Sequence, residues 1–496
     1  MSQIAISKLG FTYEGSHEII FDKVDLVLDT RWKLGLIGRN GRGKTTLLKL
    51  LCGEFPYTGS ITATVDFDYF PYPVADPGKP TREVVAGIAP EAMDWEVERE
   101  LSLLEVDEAV LERPYHLLSG GESTKVLLAA LFLKAHRFLL IDEPTNHLDE
   151  GGRAAVSRYL KGKRGFIVVS HDRHFLDGCT DHILAINRRG ITLQKGNYTC
   201  WREEKERQDR SEEHQNANLK KEIKRLKAAA RQRENWSDQV EKTKKGTRVA
   251  GLRPDRGHIG AVSAKMMKRA KAIDSRRQDA VAEKSALLQN IENLGELKLT
   301  PLPYCKNNMV TVEGFTIDYG EGALFAPLSF TLSRGDRIAL RGCNGSGKSS
   351  LLKCICGGPV PHAGECLVGS GLGISRVCQD AREVVGNLKD YAESYGIEES
   401  RFKAILRKMG FEREHFDGVL EAMSPGQKKK VMLARSLCES AHLYLWDEPL
   451  NDMDVQSREQ VEALLLQSQG TILFVEHDQA FCEAVATREI VLRKPH

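Results

Sequence analysis

The chain has 496 residues, 41% hydrophobic and 28% charged. That is a globular composition too long for one core, and it fits about two to four domains of roughly 100–200 residues. No apolar run approaches the roughly 18 residues that span a bilayer, and Met1-Ser2-Gln3-Ile4-Ala5 has neither the basic nor the apolar region of a signal peptide. Eleven cysteines without a regular framework point to reduced thiols, with Cys354 and Cys356 expected in a core. A secreted chain, an integral membrane protein and a disulfide scaffold are disfavoured, and a cytoplasmic location is expected.

In chain order, Leu34-Gly35-Leu36-Ile37 predicts a buried strand running into a glycine loop, Gly38-Arg39-Asn40-Gly41-Arg42-Gly43-Lys44-Thr45, and Leu47 to Leu51 begin a helix. Leu118-Ser119-Gly120-Gly121-Glu122 comes next. Phe138 to Ile141 then predicts a strand ending in Asp142-Glu143-Pro144, and Phe166 to Val169 another ending just before Ser170-His171-Asp172. The series returns 304 to 306 residues later. Ile338 to Leu340 leads into Gly342-Cys343-Asn344-Gly345-Ser346-Gly347-Lys348-Ser349, with Met423-Ser424-Pro425-Gly426-Gln427 downstream of it. Leu443 to Trp446 ends in Asp447-Glu448-Pro449, and Ile472 to Val475 precedes Glu476-His477-Asp478. Four motifs in one order at a nearly constant shift define an internal repeat with a spacer inside it. The expected divisions are residues 1–200, 201–300 and 301–496. Within each repeat, strands alternating with helices predict an α/β fold with a parallel sheet and its functional residues at the strands' carboxyl ends.

The glycine octets have the form of phosphate-binding loops. Their glycines let successive backbone N–H groups face phosphate oxygens, and the following helix adds positive potential at its N-terminus. Lys44 and Lys348 would neutralise phosphate charge; Thr45 and Ser349 would place hydroxyls on Mg²⁺. One octet alone can be a bland turn, but two in register between strand and helix are not. Asp142 and Asp447 are placed to hold the metal, and Glu143 and Glu448 are candidate general bases for an attacking water. An Asp-Glu pair is ordinarily a solvated strand end; here the apolar strands and the upstream glycine loops favour the functional reading. His171 and His477 are candidates to contact a γ-phosphate, against the structural role a lone histidine more often has.

These motifs in this order resemble the ATP-binding cassette (ABC) family over both repeats. The resemblance implies two cassettes facing each other head to tail around two ATP molecules, each with Mg²⁺. The loop contacts would come from Gly38, Asn40, Gly41, Gly43, Lys44, Thr45 and Thr46, and from Gly342, Asn344, Gly345, Gly347, Lys348, Ser349 and Ser350. Tyr13 and Tyr319 match the family's adenine-stacking aromatic, with a core tyrosine as the alternative for each. Site one would join Lys44, Thr45, Asp142, Glu143 and His171 to Ser424 and Gly426. Site two would join Lys348, Ser349, Asp447, Glu448 and His477 to Ser119, Gly120 and Gly121. Gln379 stands where the family carries a metal-contacting glutamine, whereas the first cassette places Tyr72 there, after Tyr69-Phe70-Pro71. Pro425 replaces the glycine found at Gly120 and offers no backbone N–H. Both departures fall in site one.

The spacer is different material. Residues 220–277 hold 19 Lys and Arg against 6 Asp and Glu, a net +13, which leaves −11 for the rest of a chain whose total is +2. Leu219, Ile223, Leu226 and Ala230 form one apolar stripe. Met266, Ala270, Ile273, Ala280, Leu287, Ile291 and Leu294 form another, interrupted by Arg277 and Lys284. Gly246, Gly251, Pro254, Gly257 and Gly260 lie between them. The pattern predicts a long basic antiparallel α-helical hairpin of about 50 Å reach. A charge run is ordinarily a solvated helix face, but Lys242, Lys244, Lys245, Arg248, Arg253 and Arg256 concentrate charge at the tip, which suits RNA phosphates.

Two cassettes joined by such a linker resemble the ABC-F family of ribosome-associated ATPases, and Lys195-Gly196-Asn197-Tyr198 looks like that family's end-of-cassette motif. Trp32 to Gly43, Gly257-His258-Ile259-Gly260 and Met267-Lys268-Arg269 resemble its antibiotic-resistance branch of the Lsa and Vga type. Lys44 to Ser119 spans 75 residues and Lys348 to Ser424 spans 76, leaving no room for the arm inserted in the first cassette of many housekeeping relatives. The resemblance implies a monomer with intramolecular cassette pairing. In its ATP-bound form it would bind the exit site of the 70S ribosome, contacting rRNA and ribosome-bound tRNA. Its linker would dislodge lincosamides, pleuromutilins or group A streptogramins, and hydrolysis would release it. The alternatives are a housekeeping translation factor of the same family and a tandem ATP-binding subunit of a membrane importer; no membrane subunit is expected.

Overall fold

A computed structural model describes residues 2–15, 19–146, 148–187, 190–212, 218, 221, 297–320, 322–411, 413–416, 418–493 and 495. Met1–Trp201 and Leu294–His496 form one compact unit, and Arg202–Asn293 is assigned to another. In the second unit, residues 202–212 are helical, laced by Arg202–Glu206, Lys205–Asp209 and Arg210–Glu206 ion pairs of 3.0–3.2 Å one turn apart. Both apolar stripes expected of a hairpin, and its basic glycine-rich tip, lie outside the described residues.

The first cassette runs β1 (Gln3–Thr12), β2 (Ile19–Asp29), β3 (Lys33–Gly38), β4 (Thr58–Ala63), β5 (Asp66–Phe70), β6 (Arg137–Asp142), β7 (Phe166–Val169), β8 (His182–Asn187) and β9 (Gly190–Lys195). The second runs β10 (Asn308–Ile317), β11 (Leu328–Ser333), β12 (Arg337–Arg341), β13 (His362–Val368), β14 (Ile374–Val377), β15 (Leu443–Asp447), β16 (Thr471–Val475) and β17 (Arg488–Val491). The central sheets are ordered β5-β6-β7-β3-β8-β9 and β14-β15-β16-β12-β17. All their pairings are parallel except β8 with β9. Strands such as β7 and β16, buried at every residue, have to be covered on both faces, which is why they read as unbroken apolar runs.

Every strand expected from those runs is present, as are the helices Lys44–Leu51 and Lys348–Ile355 after the glycine loops. Each cassette also carries an antiparallel sheet, β2-β1-β4 and β11-β10-β13, which the motif pattern did not reveal. These sheets pack over the helix that follows each phosphate loop. All eleven cysteines are free; Cys354 is buried, but Cys356 is only half-buried rather than in the core.

Lys195-Gly196-Asn197-Tyr198 ends β9 and starts a helix. Asn197 Oδ1 accepts from the Cys200 N–H at 3.1 Å. Buried Tyr198 packs into the first cassette's core and reaches Glu459 of the second at 3.3 Å.

Trp446 ends the apolar run of β15. It is fully buried, and its Nε1 donates to Ser436 Oγ on the helix Pro425–Cys438 at 3.0 Å. Trp446→Ala therefore leaves a cavity and takes one hydrogen bond from the Ser436 hydroxyl, which keeps its partner Ser375 Oγ at 2.7 Å. Denaturant unfolding should show a loss of about 3–5 kcal/mol, whereas replacement of exposed Trp95 should change stability by less than about 0.5 kcal/mol.

Candidate functional site

Each phosphate loop turns from its strand into its helix at a glycine in the left-handed region. Gly43 and Gly347 both have φ 88° and stand at the N-cap. A Cβ on Gly43 would meet Ile20 Cγ2 at 2.6 Å, so only glycine fits. The loop lysines fold back over this turn. Lys44 Nζ donates to the Gly38 carbonyl at 2.8 Å and to Asn40 Oδ1 at 3.1 Å, and Lys348 Nζ donates to Gly342 and Cys343 carbonyls at 2.7 and 2.9 Å. Burial pulls both ammonium groups below the usual lysine range, against the attraction of the neighbouring carboxylates.

Tyr13 and Tyr319 flank the loops, their hydroxyls 2.6 Å from Thr46 Oγ1 and 3.0 Å from Ser350 Oγ. They are 41% and 58% exposed, so neither is a core tyrosine. Tyr13's ring makes edge contacts with Phe11 and Phe55 at centroid distances of 4.9 and 5.8 Å, and Tyr319's lines a cleft.

One cleft of about 1180 Å³ brings together residues some 300 positions apart. Ser119, Gly120 and Gly121 line it with Tyr319, Asn344 to Ser350, Gln379, Glu448 and His477. Those are the residues expected of site two, with Asp447 just behind them: its buried carboxylate is hydrogen-bonded by Ser349. At site one, Asn40 Nδ2 donates to the Asp452 carbonyl of the second cassette at 2.7 Å. A Cβ on Gly426 would approach Asn40 Nδ2 to 3.2 Å, so the second signature glycine lies against the first phosphate loop. The signature segments start helices of equal length, Gly120–Leu133 and Pro425–Cys438, each with a capping box in which Ser119 or Ser424 caps the helix. Pro425 sits at N1, where its fixed φ suits the helix and the missing N–H removes one donor from the end facing site one.

Thr45 Oγ1 donates to Asp142 Oδ2 at 2.6 Å. A hydroxyl beside a carboxylate at each site, and at site two an Asp447 Oδ1 that is buried without a hydrogen-bond partner, make an oxygen donor set that suits Mg²⁺. Among the described residues there is no cluster of three or more His, Cys, Asp or Glu that would compete as a metal site. Strand register settles the position matching Gln379. Phe70 pairs with Ile141 as Val377 pairs with Trp446, so Tyr72 does occupy it. Its ring nevertheless packs against the first cassette's core, with Lys134 Nζ 5.4 Å from the centroid. Tyr69 reaches the site instead, donating to Asp142 Oδ2 at 3.0 Å. The motif pattern did not reveal this, because Tyr72 lies beyond the end of β5, where packing and not the pleat sets its direction.

Glu143 and Glu448 have φ 49° and 48°, a left-handed conformation rare for glutamate. Their N–H groups donate to the Val169 and Val475 carbonyls at 2.9 and 3.0 Å, pinning the strained residues beyond the strand ends. Their carboxylates differ. Glu448 receives hydrogen bonds from Gln379 at 3.0 Å and from Asn451, and its Oε1 lies 3.3 Å from His477 Nε2. Burial works against its charge, but the His477 and Gln379 contacts prevail and hold it below the usual range. Glu143 is pushed up to about 8 by burial, with Lys44 opposing and Asp142 adding to the rise. His171 Nε2 comes within 3.2 Å of Glu143 Oε1, yet that oxygen has no aligned hydrogen-bond donor. Burial, reinforced by Lys44 and Arg458, holds the His171 imidazole well below its ordinary pKa.

The family model described as ABC transporter matches residues 21–146 and again 325–451. The ribosome protection protein VmlR of Bacillus subtilis is 28% identical over 502 residues, covering 97% of this chain and 85% of that protein. The energy-dependent translational throttle protein EttA of Haemophilus influenzae is 28% identical over 514 residues, covering 92% and 86%. Among solved structures, an archaeal ribosome recycling factor, aABCE1, in complex with the ribosomal stalk protein aP1, superposes with a TM-score of 0.64. It is 20% identical, with 98% of this chain and 87% of that one covered. At that identity the likeness is one of fold.

The unequal carboxylates predict unequal sites. Steady-state ATPase should fall by about 10²-fold or more in Glu448→Gln, the scale of general acid–base catalysis, and by clearly less in Glu143→Gln. The reverse order would contradict the asymmetry.

Proposed function

Because the chain belongs to the ABC transporter family and is an ATP hydrolase built from two such domains, we propose that it works on the ribosome as an ABC-F ATPase. In this reading it binds the exit site with ATP held between its cassettes. Its linker displaces antibiotics of the lincosamide, pleuromutilin or group A streptogramin classes from the peptidyl-transferase region, and hydrolysis releases it. The supporting observation is that similarity to a ribosome protection protein extends over 97% of the chain, across the segment whose residues 220–277 carry a net +13. Charge of that sign and density suits rRNA and tRNA phosphates.

In the proposed site, Glu448 and Glu143 orient and deprotonate the attacking water. Lys348 and Lys44 offset phosphate charge, and His477 and His171 stand beside the general base. Mg²⁺, held by Thr45 with Asp142 and by Ser349 with Asp447 and Gln379, would neutralise the charge that gathers on the phosphates. Ser119, Gly120 and Gly121 complete one site, and Ser424 and Gly426 the other. A housekeeping translation factor is the second reading, supported by the comparable match to a translational throttle protein. A tandem subunit of a membrane importer has no use for the basic segment.

Glu143→Gln combined with Glu448→Gln should retain ATP binding while blocking turnover. In ATP the double variant should sediment with ribosomes; if it sediments free of them, the proposed cycle is wrong. Shortening Lys245 through Gly257 should leave ATPase and ribosome binding within about twofold of the parent while abolishing drug protection, because phosphate contacts made by Lys220, Lys221, Lys224 and Arg225 hold position without performing the drug-linked step. Unchanged resistance at equal expression would favour the housekeeping reading.

A further inference from the structure

Site two contains a carboxylate for which ATP hydrolysis has no use. Glu476 stands immediately before His477, where the first cassette has Ser170 before His171. It is buried, and both of its oxygens accept backbone hydrogen bonds: Oε1 from Leu450 at 2.8 Å and Oε2 from His477 at 2.9 Å. Burying a carboxylate is costly unless donors meet it, and closing a strand end does not require one. The first cassette closes the same place with hydroxyls. Ser170 Oγ lies 3.0 Å from Thr145 Oγ1 and accepts from the Asp172 N–H at 3.1 Å. Thr145 and Leu450 occupy matching positions, each three residues beyond the metal-binding aspartate candidate. One cassette joins its histidine segment to the next loop through side-chain hydroxyls; the other clamps that loop by its backbone.

The clamped loop leads to the opposite site. Beyond Leu450, Asn451 donates to Glu448, and Asp452, at φ 59°, offers its carbonyl to Asn40 Nδ2 at 2.7 Å. Asn40 Oδ1 in turn accepts from Lys44 at 3.1 Å. At the other end, the His477 carbonyl accepts from Arg153 of the first cassette at 3.2 Å. Glu476 is thus the joint between the backbone of His477 at site two and a loop that touches the phosphate loop of site one.

We propose that Glu476 is a positioning residue that couples the two nucleotide sites, linking the seating of His477 through Leu450 to Asp452 and so to Asn40 and Lys44. The inference rests on the site assignment above and is independent of any role on the ribosome. Coupling between binding sites is reciprocal, so it is measurable from either one.

The test is equilibrium binding of a fluorescent ATP analogue at site one of the full chain, with site two either emptied by Lys348→Ala or loaded with ATP trapped by Glu448→Gln. Site one should bind about fivefold or more tightly when site two is loaded. Adding Glu476→Gln, or Glu476→Ser with Leu450→Thr to rebuild the first cassette's hydroxyl pair, should bring that ratio to within about twofold of unity. The rebuilt pair keeps the test open where Glu476→Gln fails to fold. A ratio unchanged by the rebuilt pair, or a loss of thermal stability with the ratio preserved, would mark Glu476 as merely structural and overturn the proposal. A Lys348→Ala chain that still binds two nucleotides would instead overturn the site assignment.

Discussion

Everything at the two sites depends on one half of the chain being held in register against the other. A phosphate loop supplies donors from one side only; what faces it across each site is a helix start more than 220 residues away in sequence. The structure meets this with ion pairs and hydrogen bonds that cross between cassettes. Arg173 pairs with Glu462 at 2.7 Å, Arg341 with Glu150, and Arg153 donates to the His477 carbonyl. Arg173 is buried, and burial works against its charge until Asp478 and Glu462 outweigh it. Pairs of this kind contribute little net stability after desolvation, but an unpaired buried arginine would be expensive. Sliding one cassette past the other strands that charge, so the pairs select one arrangement more than they stabilise it.

Within that arrangement the two sites have drifted apart by small steps that act on the same atoms. At site two the general-base candidate sits among Gln379, Asn451 and His477, polar groups that hold it ionised. At site one, Tyr72 has turned into the core, Tyr69 has moved onto Asp142, and Glu143 is left buried with an oxygen that no donor meets. Proline at N1 of the facing signature helix withdraws a further N–H. Tyr69 adds a donor to Asp142, but the missing glutamine amide, the unmet Glu143 oxygen and the missing N–H each lower the local capacity to stabilise negative charge, and all occur at the same site. That coincidence argues for a division of labour between the sites better than any one substitution does.

Much of this was legible in the sequence, for a definite reason. Buried parallel strands need unbroken apolar runs, phosphate loops need glycine at positive φ, and a repeat prints both twice, so β3, β6, β7, β12, β15 and β16 and their terminal residues could be placed by comparing the chain with itself. The antiparallel sheets were not legible from the motifs, because they carry no chemistry and their alternation is interrupted by register shifts in β1 and β10. Nor was the exchange of Tyr72 for Tyr69. Register places Tyr72 correctly, but the direction of a side chain after the strand ends depends on what it packs against. Glu476 was visible as a departure from Ser170, yet its meaning required Leu450 and Asp452, residues whose contacts are made by backbone groups that any sequence would supply.

The charge distribution gives a final constraint on how the parts divide the work. Residues 220–277 at +13 and the rest of the chain at −11 cancel to +2, so bulk charge neither draws the protein to nucleic acid nor repels it. Attraction must be local. Opposite charges concentrated in separate stretches of the sequence let a polyanion attract one stretch and repel the other. In the proposed reading this keeps the cassettes from sticking indiscriminately to RNA and leaves their fit to be decided by shape. In that reading, shape would be set by whether the cassettes are closed on ATP. Electrostatics would then choose the end that enters, and nucleotide would choose when it stays.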